Sequence, residues 1–195
     1  MALRANRYFQ DYEVETTLCN GVQRRRYVYK GDRYDRILSP EARAKERVAY
    51  LLLAIPAGAL LVAAMLQPVA ANFTGIFAAL SLLALIPAFC TAEGAVEAFF
   101  RKGTLKKGNY QERLVMLRVM PILGAALELI LAAGYLYGIA QKQAVPASLA
   151  AVLCVVGAAA CHAAIAWREL RVSYRVIPGP RSMGAAPAAE SPTRE

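Results

Sequence analysis

Five ionisable residues interrupt the apolar stretches of this 195-residue chain, and their types are the ones that could carry chemistry. They are Glu93, Glu97, Arg118, Glu128 and His162. A charged or titratable group inside a bilayer is costly, so it pairs with an opposite group, faces water or takes part in proton transfer. Ion pairing, proton transfer and cation binding are therefore the chemistry to consider.

Glu128 is the most informative of these residues. It follows Arg118 by ten residues, about 15 Å along a helix, which places it near the midplane of a membrane span. A carboxyl group there is expected to stay protonated and to donate a hydrogen bond to a neighbouring helix, or else to face water. The first arrangement is structural, and the second predicts a proton- or cation-coupled transport site.

The other four residues are expected in the inner leaflet, where they could form a cluster. Glu93 and Glu97 lie one turn apart on one helix face, and either is expected to pair with Arg118 of the next helix. His162 lies five residues, about 7.5 Å, inward of Trp167. The alternative is that this cluster lines a cavity that binds a small molecule or passes protons.

The residue pattern gives no support to metal binding or catalysis. Cys90, Glu93, Cys161 and His162 are metal-ligating types, but they follow no ligand spacing, and adjacent Cys161 and His162 point to different sides of a helix. The sequence contains no Ser/His/Asp spacing, phosphate-binding glycine loop or HExxH motif. We therefore expect no catalytic residue, metal or cofactor, and a protein that is not an enzyme.

Four apolar segments must position the ionisable residues. Hydrophobic residues make up 57% of the chain, charged residues 19%, and the mean hydropathy is +0.35, which nearly excludes a water-soluble enzyme. The 45 uncharged residues between Arg47 and Glu93 would extend about 68 Å as a helix, enough to cross a hydrocarbon core about 30 Å thick twice. We predict an all-α membrane protein, a bundle of four transmembrane helices at about residues 40–66, 73–100, 110–140 and 146–168.

Local signals mark the helix starts and one kink. Ser39 followed by Pro40 predicts an N-cap and a first helical residue. Asn109 and Glu112 have the spacing of a capping box, which predicts the start of the third helix. Pro121 is expected to kink that helix, because proline cannot donate the helical hydrogen bond.

Lys and Arg are distributed asymmetrically around the spans. Of the 23 such residues, 22 lie in the N-terminal segment up to Arg47, in the loop between the second and third spans with its flank up to Arg118, or after Trp167, and only Lys142 lies in an opposite loop. Because cytoplasmic flanks retain positive charge, both termini and the middle loop are predicted to be cytoplasmic, in a plasma membrane of the bacterial inner-membrane type. The net charge of +9 is then a topology signal, and nucleic-acid binding is not expected.

Two polar segments flank the transmembrane domain, which we place at residues 39–170. Residues 1–38 alternate around Asn20-Gly21, which predicts a basic cytoplasmic β-hairpin. Its cations either rest on anionic lipid headgroups or only enforce topology. The headgroup candidates are Arg24, Arg25, Arg26 and Lys30. Residues 171–195 are expected to add a short strand to the hairpin and to end in a disordered tail.

These features favour a non-enzymatic scaffold or accessory subunit of a membrane complex. It would contact the lipid bilayer and a membrane protein partner or a second copy, through small residues such as Gly134 and Gly138. The alternative is a small proton- or cation-coupled transporter or channel that uses Glu128, with the other four ionisable residues at its mouth. A closed, dry bundle around Glu128 would favour the scaffold, and a water-filled vestibule would favour transport.

The charge asymmetry makes a prediction that reporter fusions can test. Reporters placed after Asn72 and after Gln143 should be active outside the membrane, and reporters after Gly108 and at Glu195 should be active in the cytoplasm, because translocated loops lack positive charge. A cytoplasmic reporter at Asn72 would contradict the four-span topology.

Overall fold

The computed structural model describes residues 11–19, 22–69, 72, 75–101, 103–141 and 145–180. Four helical segments are long and apolar enough to cross a membrane, which confirms the four predicted apolar helices. The helices are α1 (Pro40–Met65), α2 (Gly75–Phe100), α3 (Lys107–Leu114), α4 (Met120–Ala140) and α5 (Val145–Arg171), with α3 and α4 joined into one span. The strands are β1 (Tyr12–Cys19), β2 (Val22–Tyr29), β3 (Arg33–Arg36), β4 (Leu105–Lys106) and β5 (Tyr174–Ile177).

The helices form a four-cornered bundle in which α1 packs on α2 and α5, and α4 packs on the same two helices. Two apolar clusters fill its interior, one around Leu61, Leu131 and Val155 and one around Leu117 and Ile165. The outward faces are also apolar: for example, Leu52, Ile76, Phe89 and Leu153 are each at least 66% exposed. A surface as apolar as the core fits contact with lipid rather than water.

The predicted start of α1 is confirmed. The Ser39 hydroxyl accepts a hydrogen bond from the Ala42 amide at 3.2 Å, and Pro40 is the first helical residue. The third span instead begins at Lys107, two residues before the predicted cap at Asn109. The Lys107 amide donates to the Tyr29 hydroxyl at 3.1 Å, so a tyrosine from the N-terminal hairpin satisfies one of the first amides of α3.

A π-helical turn at Val115–Val119 joins α3 to α4. The Met120 amide bonds to the Val115 carbonyl, five residues back. Pro121 follows at once and has no N–H to donate to the carbonyl four residues before it. The π turn is the local adjustment that accompanies this proline.

Strands β1 and β2 form the predicted hairpin, with pairs that run from Tyr12 opposite Tyr29 to Cys19 opposite Val22. Its turn residues, Asn20 and Gly21, lie outside the described residues. The prediction that the C-terminal strand extends this hairpin was wrong. β5 pairs antiparallel with β3, in a second sheet of order β4–β3–β5.

Complementary side chains stabilise the second sheet. Asp35 of β3 lies opposite Arg175 of β5, and opposite charges on facing strands are favourable. Arg36 is buried, and its Nε donates to the Tyr174 hydroxyl at 3.0 Å. Tyr110 stacks on Tyr34, with ring centroids 4.0 Å apart.

The chain divides into two compact units: one contains the strands and the start of α3 up to Tyr110, and the other contains the remainder of the four long helical segments. In the first unit, β3, β4 and β5 come from the N-terminal segment, the loop before α3 and the C-terminal segment. Because these three segments pair in one sheet, they share one side of any bilayer that the helices cross. The tail predicted to be disordered lies largely outside the described residues.

Two glycines at matched mid-helix positions test the packing of α2 and α1. A Cβ at Gly94 would lie 2.7 Å from the Met116 Cβ, whereas a Cβ at Gly58 would meet nothing within 4 Å. Gly94→Ala should therefore lower the free energy of unfolding by about 1–3 kcal/mol through overpacking. Gly58→Ala should leave it unchanged or raise it by about 0.5–1 kcal/mol. Unfolding in detergent checks both, and equal stability of the two variants would contradict the close approach at Gly94.

Candidate functional site

Glu128 and His162 face each other across the seam between α4 and α5. The His162 Nδ1 lies 2.9 Å from the Glu128 Oε2, and both side chains are at most 1% exposed. Gly124, one turn before Glu128, leaves room for the imidazole, since a Cβ there would lie 3.2 Å from the ring nitrogen. Glu128 is thus hydrogen-bonded to a neighbouring helix, which is the structural alternative predicted from the sequence.

The register of the two antiparallel helices explains why these residues meet. The Arg118 Nη2 donates to the Val172 carbonyl at 3.2 Å, which fixes the depth at which α5 ends. Glu128 follows Arg118 by ten residues, and His162 precedes Val172 by ten, so the two side chains reach the same level. The sequence placed His162 about 7.5 Å inward of Trp167, and it did not predict the contact of His162 with Glu128.

Each member of the pair has one polar atom without a partner among the described residues. These atoms are the Glu128 Oε1 and the His162 Nε2, and both are buried. A carboxyl and an imidazole in contact can exchange a proton, but transport also requires access to water. Within the described part of the chain neither side chain is accessible to solvent, so the bundle is closed around the pair.

A second polar contact lies at the end of the bundle that contains Asn72, which we call the distal end. The Tyr135 hydroxyl donates to the Asn72 Oδ1 at 2.5 Å. The Asn72 Nδ2 in turn donates to the Ala64 carbonyl at 3.2 Å and to the Gln67 carbonyl at 2.8 Å. Asn72 therefore joins α4 to the C-terminal end of α1, whose last carbonyls have no partner within the helix.

A third polar contact, at the opposite or proximal end, was missed by the sequence analysis. The Tyr50 hydroxyl donates to the Glu169 Oε2 at 2.6 Å, and both residues are fully buried. The Glu169 carbonyl also accepts from the Arg118 Nη2 at 3.0 Å. The signal was available in the sequence, because Glu169 follows His162 by seven residues and so lies on the same helix face.

The predicted pairing of Arg118 with Glu93 or Glu97 was wrong. Glu97 pairs with Arg101, the residue that follows α2, at 2.6 Å. Glu93 is exposed on the outward face of α2. Arg118 instead donates to carbonyls of the α5 end, and among the described residues it forms no ion pair with either glutamate. Glu93, Glu97 and Arg118 therefore do not form a cluster. Glu93 points away from the bundle, and Arg118 points toward α5.

The thiols of α2 and α5 are half-buried. Cys90 and Cys161 are free cysteines. In the part of the chain that is described, no group of three or more His, Cys, Asp or Glu side chains could hold a metal ion.

The basic run of the hairpin does not form one face. The register places Arg25 opposite Thr16 and Arg26 opposite Glu15, so the two arginines lie on opposite faces of the strand. Arg24 shares the register face of Arg26, and its side chain lies outside the described residues. Lys30 pairs with Glu15 at 2.8 Å, and this hydrogen bond raises the pKa of Lys30.

The small residues of α4 are used inside the bundle. A Cβ at Gly134 would collide with the ring of Phe77 on α2, and Gly138 is buried. Gly134 therefore allows α2 and α4 to pack closely within this chain.

Comparisons with known proteins assign no family to this chain. No family model, curated protein or solved structure matches the chain.

The Glu128–His162 contact can be measured by a double-mutant cycle. Glu128→Gln should change the free energy of unfolding by less than about 1 kcal/mol, because the amide keeps hydrogen-bonding capacity. Glu128→Leu should cost about 1–3 kcal/mol, since it leaves the buried imidazole without its partner. Adding His162→Leu should recover part of this loss, because both polar groups are then removed. Strictly additive effects in detergent unfolding would show that the two residues do not interact.

Proposed function

We propose that the protein is a non-enzymatic component of a membrane complex, acting as a scaffold or accessory subunit. The observation that supports this function best is the closed bundle around Glu128 and His162, both at most 1% exposed. A transport site must reach water from at least one side. Here the buried polar side chains bridge helices, which is the role of a rigid structural element.

Glu93 is the feature that favours a protein partner. Its side chain is exposed on α2, four residues from Phe89, which is 73% exposed. Among the described residues no cation pairs with it. A carboxylate on a lipid-facing surface is costly unless it reaches the interface or meets an opposite charge. A partner helix with Lys or Arg at the same depth would provide that charge.

The sheet unit supports a cytoplasmic orientation for this assembly. It joins three segments that carry, together with their flanks, 22 of the 23 Lys and Arg residues. Positive flanks are retained in the cytoplasm, so we place the strands and both termini there, in a plasma membrane of the bacterial inner-membrane type.

Proton- or cation-coupled transport is the second candidate, and one specific observation favours it. The Glu128 Oε1 and the His162 Nε2 are buried and have no partner among the described residues. In a conformation that opens the bundle to water, a proton or a small cation could reach these atoms.

A flux measurement separates the two candidates. Under the scaffold function, vesicles that contain the wild-type protein should pass protons and a panel of cations no faster than empty liposomes, and Glu128→Gln should have no effect. Flux above this background that disappears in Glu128→Gln, with the fold intact by thermal unfolding, would replace the scaffold with the transporter.

The partner can be tested at Glu93 with Glu97 as a matched control. A photo-crosslinking residue at Phe89 should yield one discrete protein adduct in cells. Glu93→Gln should remove most of this adduct, because the interhelical charge pair is lost. Glu97→Gln should retain it, because Glu97 already pairs with Arg101. Equal yields from both variants would contradict a partner held through Glu93.

A further inference from the structure

An open cleft lies at the proximal end of the bundle, where α1 and α5 pack together. Its volume is about 340 Å³, and it is lined by Leu38, Glu46, Trp167, Arg168, Arg171 and Val172. Arg47, next to Glu46, is the last charged residue before the long uncharged run of α1, and Arg168 is the first after that of α5. The cleft therefore lies where two spans leave the apolar region, at the depth of lipid headgroups.

The cleft presents two guanidinium groups with free donors. The Arg168 Nη1 contacts the Glu46 Oε1 at 3.0 Å, and the Arg168 side chain is 45% exposed. The Arg171 guanidinium lies over the Trp167 ring, 4.2 Å from its centroid. Stacking on a ring leaves the N–H donors of the guanidinium edge available, and that edge binds phosphate oxygens in pairs.

Glu46 requires a hydrogen-bond donor from the ligand. Its Oε1 accepts from Arg168, but its Oε2 is buried and has no partner among the described residues. An unpartnered buried carboxylate oxygen costs free energy until a donor reaches it. A ligand that fits this cleft therefore combines an anionic group for the arginines with a hydrogen-bond donor for Glu46.

We propose that this cleft binds the headgroup of phosphatidylethanolamine. Its phosphate contacts Arg168 and Arg171, and its primary ammonium donates to the Glu46 Oε2. The ammonium supplies both the missing donor and a positive charge beside the carboxylate. The choline ammonium has no N–H to donate, and the hydroxyls of a glycerol headgroup carry no charge. Trp167, 59% exposed, lies at the depth where its ring packs among headgroups, and the acyl chains lie along the apolar outward faces of the helices.

Lipid retention in native mass spectrometry tests this site with the full chain. The detergent-purified protein is offered phosphatidylethanolamine, phosphatidylglycerol or phosphatidylcholine with identical acyl chains. Wild type should retain phosphatidylethanolamine about tenfold better than phosphatidylcholine, the factor expected for one charge-assisted hydrogen bond. Equal retention of the three lipids, or retention of phosphatidylglycerol above phosphatidylethanolamine, would overturn the proposal.

Three charge-neutralising variants assign the contacts. Arg171→Gln should lower the retention of phosphatidylethanolamine and phosphatidylglycerol alike, by about tenfold, because it removes a phosphate contact. Glu46→Gln should remove the preference for phosphatidylethanolamine over phosphatidylglycerol while retaining the latter. Lys45→Gln is the control, because Lys45 is exposed on the same helix and does not line the cleft.

Thermal unfolding of each variant separates lost binding from lost folding. The proposal stands if Arg171→Gln and Glu46→Gln unfold as the wild type does and show the two different retention patterns. It fails if Lys45→Gln reduces retention as much as Arg171→Gln, which would indicate nonspecific attraction, or if Glu46→Gln leaves the headgroup preference unchanged.

Discussion

The contact between Glu128 and His162 is the interaction on which the arrangement of the bundle depends. Both side chains are polar and lie deep in a bundle with an apolar exterior, so each must find its partner inside the protein. A shift of one residue along α5 would move His162 by about 1.5 Å and rotate it by about 100° away from Glu128. The pair is therefore formed in only one register of α4 on α5, and apolar contacts alone would tolerate several.

At the two ends of the bundle, two further polar contacts also form within the protein. Tyr135 reaches Asn72 at the distal end, and Tyr50 reaches Glu169 at the proximal end. Each joins a side chain to an element distant in sequence, so α1, α4 and α5 are tied at three depths. α2 is held by shape instead, since its Phe77 occupies the space beside Gly134 of α4. Hydrogen bonds thus fix α1, α4 and α5 relative to one another, and close packing fixes α2.

Hydropathy and charge predicted the spans because crossing a bilayer requires a length of apolar helix that can be counted along the chain. They did not predict which side chains meet, because that depends on where each helix ends. The contact between His162 and Glu128 depends on the register of α5 on α4, which hydropathy does not encode. The sheet pairing of β3 with β5 was equally out of reach, since the partners are about 140 residues apart and each is four residues long. The alternation of Arg25 and Arg26, by contrast, follows from the strand period and was predictable.

Two polar surfaces interrupt the apolar exterior of the bundle. Glu93 lies on α2, whereas the cleft with Glu46 and Arg171 lies between α1 and α5. α2 and α5 occupy opposite corners of the bundle, because each packs on both α1 and α4. A protein helix at Glu93 and a lipid in the cleft would therefore not compete for the same surface. The closed interior then gives both surfaces a fixed geometry, since neither corner can shift without breaking a buried contact of α4 or α5.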